Sequence, residues 1–83
     1  MNYKQIELEI IKYIQDFHKT MEIQINENLS SNSLLLESIS GFDSLELAGL
    51  VAHLEELTNF DPFEGGFVEF ESIGELAKLF SAK

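Results

Sequence analysis

The sequence has no cysteine, no arginine and no tryptophan, and it has a single proline among its 83 residues. Without cysteine the chain can form no disulfide, offers no thiolate to a metal and has no nucleophilic thiol of its own. Its five basic residues stand against 15 acidic ones, for a formal net charge of −10. A field of this sign repels nucleic acid and anionic lipid and favours basic protein surfaces. We therefore expect no nucleic-acid partner.

Long apolar runs are also missing. No run approaches the roughly 20 residues that a membrane span needs, and the first ten residues lack the basic and apolar regions of a signal peptide. These absences predict a cytoplasmic protein with no membrane span. The length predicts one domain over residues 1–83, and we expect it to be a monomer. The 45% of residues that are apolar are periodically placed, which argues against disorder.

The acidic residues are concentrated in one long part of the chain. No basic residue occurs between Lys19 and Lys78. That stretch holds twelve acidic residues: Glu22, Glu27, Glu37, Asp43, Glu46, Glu55, Glu56, Asp61, Glu64, Glu69, Glu71 and Glu75. Such a surface either keeps the protein soluble or attracts basic partners, and charge alone is compatible with both.

The first 42 residues predict one helix followed by a long loop. Residues 3–18 place apolar side chains at helical spacing, which predicts an amphipathic helix. Residues 19–42 lack that period and are rich in Asn and Ser. The alternation in residues 21–26 also fits a short strand, but the chain offers it no partner, so we predict a loop. Its apolar residues should lie across the core: Ile23, Ile25, Leu29, Leu34, Leu35, Leu36, Ile39 and Phe42.

A second helix is predicted to begin after Asp43 and to run to about Thr58. Asp43 is a good N-cap residue, and Glu46 three positions later completes a variant of the capping box. On a helical wheel one face is apolar and the opposite face is mostly small or charged. The apolar face comprises Leu47, Leu50, Val51, Leu54 and Leu57, and the opposite side comprises Leu45, Gly49, Ala52 and Glu56.

The rest of the chain predicts a short helical segment and a final helix. Pro62 is suited to open a short turn or helix, which Gly65 and Gly66 interrupt. Ser72 is a suitable N-cap, with Glu75 three residues later, for a last helix that includes Phe80. The sequence therefore predicts an all-α fold, a small bundle of three main helices plus one short helix, with a long loop between helices 1 and 2.

Residues able to catalyse a reaction are scarce. His18 and His53 are the only histidines, and a plain surface position is the more ordinary role for each. The carboxylates have neither the spacing of an EF-hand nor a histidine cluster beside them, so we predict no dedicated metal site. Because an enzyme needs positioned acids, bases or nucleophiles, we expect no catalytic residues and no enzymatic activity.

One short segment, GFDSLEL at residues 41–47, carries a distinctive chemical pattern. With Asp43 as N-cap, Ser44 takes the first helical position, and its hydroxyl should face solvent near unpaired backbone N–H groups. A phosphate ester on that oxygen would lie at the positive end of the helix dipole. The carboxylate of Asp43 opposes the phosphate, so the ester should face water. Serine near a helix start is common, so the tripeptide Asp-Ser-Leu alone predicts no modification.

The wider pattern DSLELxxLVxxLEE, from Asp43 to Glu56, resembles the phosphopantetheine-attachment helix of acyl carrier proteins. The order of predicted elements along nearly the whole chain is similar to that family as well. The resemblance implies that Ser44 receives a 4'-phosphopantetheine arm from coenzyme A through a phosphopantetheinyl transferase. The thiol of the arm would then hold acyl or aminoacyl groups as thioesters, so a chain without cysteine would take part in thiol chemistry.

The resemblance also implies partner enzymes that dock through basic surfaces. These are the transferase, an acyl- or aminoacyl-loading enzyme, and a downstream synthase or transferase of a biosynthetic pathway. The electrostatic contacts would be Asp43, Glu46, Glu55 and Glu56, and the apolar contacts would be Leu45, Ala48 and Ala52. An ordinary solvated helix face is the alternative for each of them except Leu45, which the wheel turns away from the core.

The aromatic residues after the second helix bear on the cargo. Phe60, Phe63, Phe67 and Phe70 crowd the region in which members of the family shelter an acyl chain. We interpret them as core residues, which favours a short or polar cargo. The pattern at residues 40–44 favours an acyl over a peptidyl carrier, and a D-alanyl carrier stays open. The alternative from another class is an unmodified acidic module that docks on basic surfaces.

Overall fold

The computed structural model describes residues 1–23 and 28–82, and within them the protein has three α-helices and no strand. Helix α1 spans Tyr3–Thr20, α2 spans Ser44–Thr58 and α3 spans Ile73–Phe80. Helix α1 packs against both of the others and more extensively against α3. The predicted all-α fold with three main helices is confirmed.

Side-chain caps set the starts of α2 and α3 where the sequence predicts them. The Asp43 carboxylate accepts a hydrogen bond from the Glu46 N–H at 3.0 Å, and the Ser72 hydroxyl accepts one from the Glu75 N–H at 3.1 Å. The Glu75 carboxylate also accepts from the Ser72 N–H at 3.1 Å, which completes a capping box. Hydrogen bonds from the backbone of Ser72 and Glu71 lower the pKa of Glu75. At α2, only the half of the box contributed by Asp43 is found among the described residues.

Replacing the cap of α3 should destabilise the protein measurably. Ser72→Ala leaves the Glu75 N–H without its acceptor at the helix start, and such a change costs about 1 kcal/mol of unfolding free energy. Ser72→Thr keeps a hydroxyl at the same position and should stay close to the wild type. Urea unfolding followed by circular dichroism measures both variants. An equal loss for Thr and Ala would show that the hydrogen bond is not the cause.

One face of each helix and part of the loop after α1 form the core. The fully or nearly fully buried apolar residues are Ile6, Ile10, Ile14, Leu35, Ile39, Phe42, Leu50, Leu54, Ile73, Leu76, Ala77 and Phe80. The wheel prediction for α2 is confirmed for Leu50 and Leu54 and wrong for Leu57, whose side chain is 42% exposed. Leu57 lies at the end of the helix, one residue before Thr58, where the chain turns away from the core.

Residues 28–42 lie across the bundle and are hydrogen-bonded to the start of α3. The Leu35 N–H donates to the Glu71 carbonyl at 2.9 Å, and the Ile73 N–H donates to the Ser33 carbonyl at 2.9 Å. Leu34 and Ser72 form an isolated antiparallel bridge. Leu35, Ile39 and Phe42 from this part are buried in the core, whereas Leu36 is exposed. Ile25 and half of the alternating segment 21–26, which we predicted to be loop, fall in residues 24–27, outside the described residues.

The predicted short helix near Pro62 is not confirmed. Helix α2 ends at Thr58, its C-cap residue Asn59 takes a left-handed conformation with φ 54°, and residues 62–65 form turns. The Asp61 carboxylate accepts from the Phe63 N–H at 2.9 Å, and the Gly66 N–H donates to the Phe63 carbonyl at 3.0 Å. These short-range bonds satisfy the backbone as turns, because Gly65 and Gly66 follow too soon for a helix to propagate.

Candidate functional site

Ser44 is the first residue of α2, and its side chain is exposed. Asp43 precedes it in an extended conformation with φ −104° and ψ −175°, so the backbone changes from extended to helical between these two residues. The hydrogen bond that the Glu46 N–H donates to the Asp43 carboxylate stabilises this helix start. The Ser44 side chain contributes nothing to the core, and its hydroxyl is therefore accessible to another molecule.

A groove of about 430 Å³ opens beside Ser44 and follows α2. One wall is helical, formed by Ser44, Leu47, Ala48, Val51, Ala52 and Glu55, and the other is aromatic, formed by Phe63, Phe67 and Phe70. Between Ser44 and Glu55 the helix rises about 16 Å. Glu55 is the one ionisable residue in this lining, so the groove offers an almost wholly apolar surface that starts at a serine hydroxyl.

The aromatic wall is partly exposed to solvent. Phe67 is 79% exposed, and its ring stacks on Phe63 with centroids 5.8 Å apart and an interplanar angle of 14°. Phe63 in turn meets the edge of Phe80 in the core at 6.4 Å. The interpretation of these phenylalanines as core residues is therefore wrong for Phe67. The turns at residues 62–65 reverse the chain and leave this ring on the outside of the stack.

A smaller pocket of about 180 Å³ adjoins the groove. Its lining residues are Leu34, Leu35, Leu36, Glu37, Leu47, Phe70 and Glu71. Leu47 and Phe70 belong to both linings, so these two side chains separate the pocket from the groove. The exposed Leu36 contributes to the wall of this pocket, which gives its side chain an apolar neighbourhood outside the core.

The predicted docking residues are distributed over different sides of α2. Ala48, Ala52 and Glu55 line the groove together with Ser44. Leu45, at 77% exposure, and Glu56 are exposed outside that lining, as is the cap residue Asp43. Glu46 lines a separate depression against α1, with Tyr13, Asp16, Phe17, Thr20 and Met21. Successive residues point 100° apart on a helix, so the set cannot form a single face.

Close packing between α1 and α2 explains why position 49 is a glycine. A Cβ at this position would lie 2.8 Å from the Tyr13 hydroxyl oxygen, too close for an ordinary contact. The Tyr13 ring also packs against His53, with centroids 5.4 Å apart. The glycine therefore lets Tyr13 approach α2 closely, and this compensates for its low helix propensity.

Glu55 is paired with a second carboxylate at the far end of the groove. A side-chain hydrogen bond with Asp61, partial burial and the negative charge of Asp61 together raise the pKa of Glu55. No pattern in the sequence predicts this pair, since Asp61 comes within reach of Glu55 only because the chain reverses after Asn59. Protonation of Glu55 therefore changes the charge at this end of the groove.

Asp61→Asn should raise the melting temperature near neutral pH. Asparagine keeps the oxygen that accepts from the Phe63 N–H and removes the charge that faces Glu55. Because the pKa of Glu55 is higher in the folded protein than in the unfolded chain, wild-type stability falls as pH rises through that range. The advantage of Asp61→Asn should therefore shrink on acidification. Thermal unfolding at pH values above and below this range tests it.

The matched control for Asp61→Asn is Glu64→Gln, which removes one exposed charge from the same turn region. It should change the melting temperature less, and its effect should not track the protonation of Glu55. If both variants gave the same pH-dependent gain, general charge reduction and not the carboxylate pair would be the cause.

The two histidines differ in their environment. His53 is half-buried beside Tyr13, whereas His18 is buried with only 1% exposure. The expectation that His18 lies on the surface is therefore wrong. Its Nε2 lies 2.6 Å from the Ser40 carbonyl oxygen, which places it against the segment that leads into Ser44.

Neither a metal centre nor a membrane helix is apparent in residues 1–23 and 28–82. No three of the His, Asp and Glu side chains there come together to hold a metal ion, and no helix there has the length and apolar character to cross a membrane. A scan against protein-family models and searches of curated proteins and of solved structures find no match to this chain.

Proposed function

We propose that the protein is a stand-alone carrier, modified with 4'-phosphopantetheine on Ser44, that shuttles acyl or aminoacyl thioesters between enzymes of a biosynthetic pathway. The observation that carries this proposal is the exposed Ser44 hydroxyl at the start of α2, placed at the edge of an apolar groove. The resemblance of residues 43–56 to the attachment helix of acyl carrier proteins supports it.

The role of Ser44 in the modification is that of a nucleophile. Its Oγ bonds to the coenzyme A phosphorus that bears the pantetheine, the pyrophosphate bond breaks, and adenosine bisphosphate leaves. The hydroxyl proton passes to a base of the transferase. When bound, the group supplies the thiol that holds the cargo as a thioester.

The residues around Ser44 fit such a group. The first turn of α2 presents backbone N–H groups that favour a phosphate ester. Ala48 and Ala52 keep the helical wall of the groove shallow, and the groove follows α2 for about 16 Å, a length suited to an extended arm. The adjoining pocket is small, at about 180 Å³, and this favours a short cargo over a long buried acyl chain.

The surface of α2 suits partner enzymes with basic docking sites. Leu45 offers an exposed apolar contact next to Ser44, and Glu56 adds a negative charge on the exposed side. Asp43 caps the start of α2, and Glu46 and Glu55 lie on different sides of it, so partners approaching from different directions each meet a negative charge. The proposed partners are the phosphopantetheinyl transferase, a loading enzyme and a downstream synthase or transferase, in the cytoplasm and with the carrier as a monomer.

Incubation with coenzyme A and a broad-specificity phosphopantetheinyl transferase tests the proposal. The intact mass should rise by one phosphopantetheinyl group. An unchanged mass, with a known carrier modified in the same reaction mixture, would overturn the proposal. It would favour the alternative of an unmodified acidic module that binds basic protein surfaces.

A further inference from the structure

The end of α1 closes over the segment that leads into Ser44. His18 lies in the last turn of α1, and its ring is buried at 1% exposure. Its Nε2 lies 2.6 Å from the carbonyl oxygen of Ser40, four residues before Ser44. Because a carbonyl oxygen only accepts hydrogen bonds, Nε2 carries the hydrogen and donates it.

Packing contacts surround this hydrogen bond. The Phe17 ring meets the edge of Phe42 at 5.8 Å and 83°. Gly41 has φ +72°, and a Cβ there would lie 2.8 Å from Cδ1 of Ile23. Apolar packing of this kind is not directional, so it tolerates small rotations of the segment. The bond from His18 is directional and fixes one carbonyl of the segment in orientation.

The environment of the other ring nitrogen of His18 shows that packing alone does not favour a histidine at this position. Nδ1 is buried and has no hydrogen-bond partner among the described residues. A buried polar atom without a partner is unfavourable, so an apolar side chain of similar size would fill this site with less cost. The histidine is therefore explained by what its Nε2 does and not by the packing of its ring.

We infer that His18 is a positioning residue for the modification of Ser44. By holding the Ser40 carbonyl it orients residues 40–43, and through them the capped start of α2 on which Ser44 is presented to the transferase. This inference rests on the proposed function. All the proposed docking residues except Asp43 lie on α2 itself, and we expect α2 to stay folded when the bond is lost. The defect should therefore appear mainly in kcat, with little change in KM for the carrier.

The test compares His18→Leu with His18→Gln. Leucine fills much of the volume without a donor, whereas the glutamine side-chain amide can place a donor near the position of Nε2. With the broad-specificity transferase and coenzyme A, His18→Leu should lower kcat about tenfold with KM within about twofold, and His18→Gln should recover most of the rate. Amide hydrogen exchange at residues 41–45 should accelerate in His18→Leu and much less in His18→Gln.

Ile10→Val is the control for general destabilisation, because Ile10 is buried in α1 away from the Ser40 contact. This variant should not slow the modification, and it should not selectively change amide hydrogen exchange at residues 41–45. Wild-type kcat in His18→Leu, or a His18→Gln variant as slow as His18→Leu, would overturn the inference. If even the wild type stays unmodified, the proposed function fails and the role in modification fails with it. The exchange data then separately decide whether His18 orders the segment.

Discussion

Ser44→Ala is expected to fold like the wild type and to gain no mass when it is incubated with coenzyme A and a phosphopantetheinyl transferase. The effect should be all-or-none, because the hydroxyl oxygen of Ser44 is the atom to which the phosphorus bonds in the proposed reaction. The Ser44 side chain is exposed and the cap bond belongs to Asp43, so alanine removes no stabilising contact of the core. Intact mass spectrometry measures the modification, and thermal unfolding shows that the variant is folded.

Ser40→Ala provides the matched control for Ser44→Ala. Ser40 is also exposed and lies four residues earlier, and the atom that contacts His18 is its backbone carbonyl, which alanine retains. This variant should be modified at the wild-type rate. Peptide mapping of the modified wild type should place the group on the peptide that contains Ser44. A mass gain in Ser44→Ala would contradict the assignment of the attachment site, even if the protein proved to be a carrier.

The helix starts could be predicted from the sequence because their causes are local. Asp43 and Ser72 each accept a hydrogen bond from a residue three positions later, and a cap of this kind depends on a few neighbouring residues. The placement of Ser44 at the first position of α2 follows from the same cap. The attachment site proposed from the sequence therefore depends on the Asp43 cap, a local feature that is also present in the structure.

The spacing of apolar residues in α1 predicts that His18 is buried, although its polar side chain suggests a surface position. Ile6, Ile10 and Ile14 follow one another at intervals of four residues along the buried face of α1, and His18 is the next position in that series. Residues four apart share a helix face, so the spacing predicts burial whereas the polar ring suggests the surface. Its acceptor, the Ser40 carbonyl, is 22 positions away and has no signature in the sequence.

The groove could not be predicted because it depends on how the chain reverses after α2. Asn59 in a left-handed conformation and the turns at residues 62–65 bring Phe63 and Phe67 alongside α2. The same reversal brings Asp61 to Glu55. From composition alone, a phenylalanine in such a segment fits the core and the groove lining equally well. Only the path of the backbone distinguishes Phe63, which is half-buried, from Phe67, which is exposed.

Leu54→Ala is expected to unfold much of the protein near room temperature. Leu54 is fully buried at the centre of the face that α2 presents to the core. Replacing a buried leucine by alanine costs about 2–5 kcal/mol, and a single core in a chain of this length supplies roughly 3–5 kcal/mol of stability. The loss is therefore comparable to the whole stability of the fold. Circular dichroism and the midpoint of urea unfolding measure it.

Leu57→Ala is the matched control, with the same substitution in the same helix three residues further on. The sequence assigns both leucines to one apolar face, but Leu57 is 42% exposed, so it has less burial to lose and leaves no enclosed cavity. Its unfolding midpoint should lie close to that of the wild type. Equal destabilisation of the two variants would mean that α2 packs through its last turn as the helical wheel predicts, and that the chain leaves the core later than Asn59.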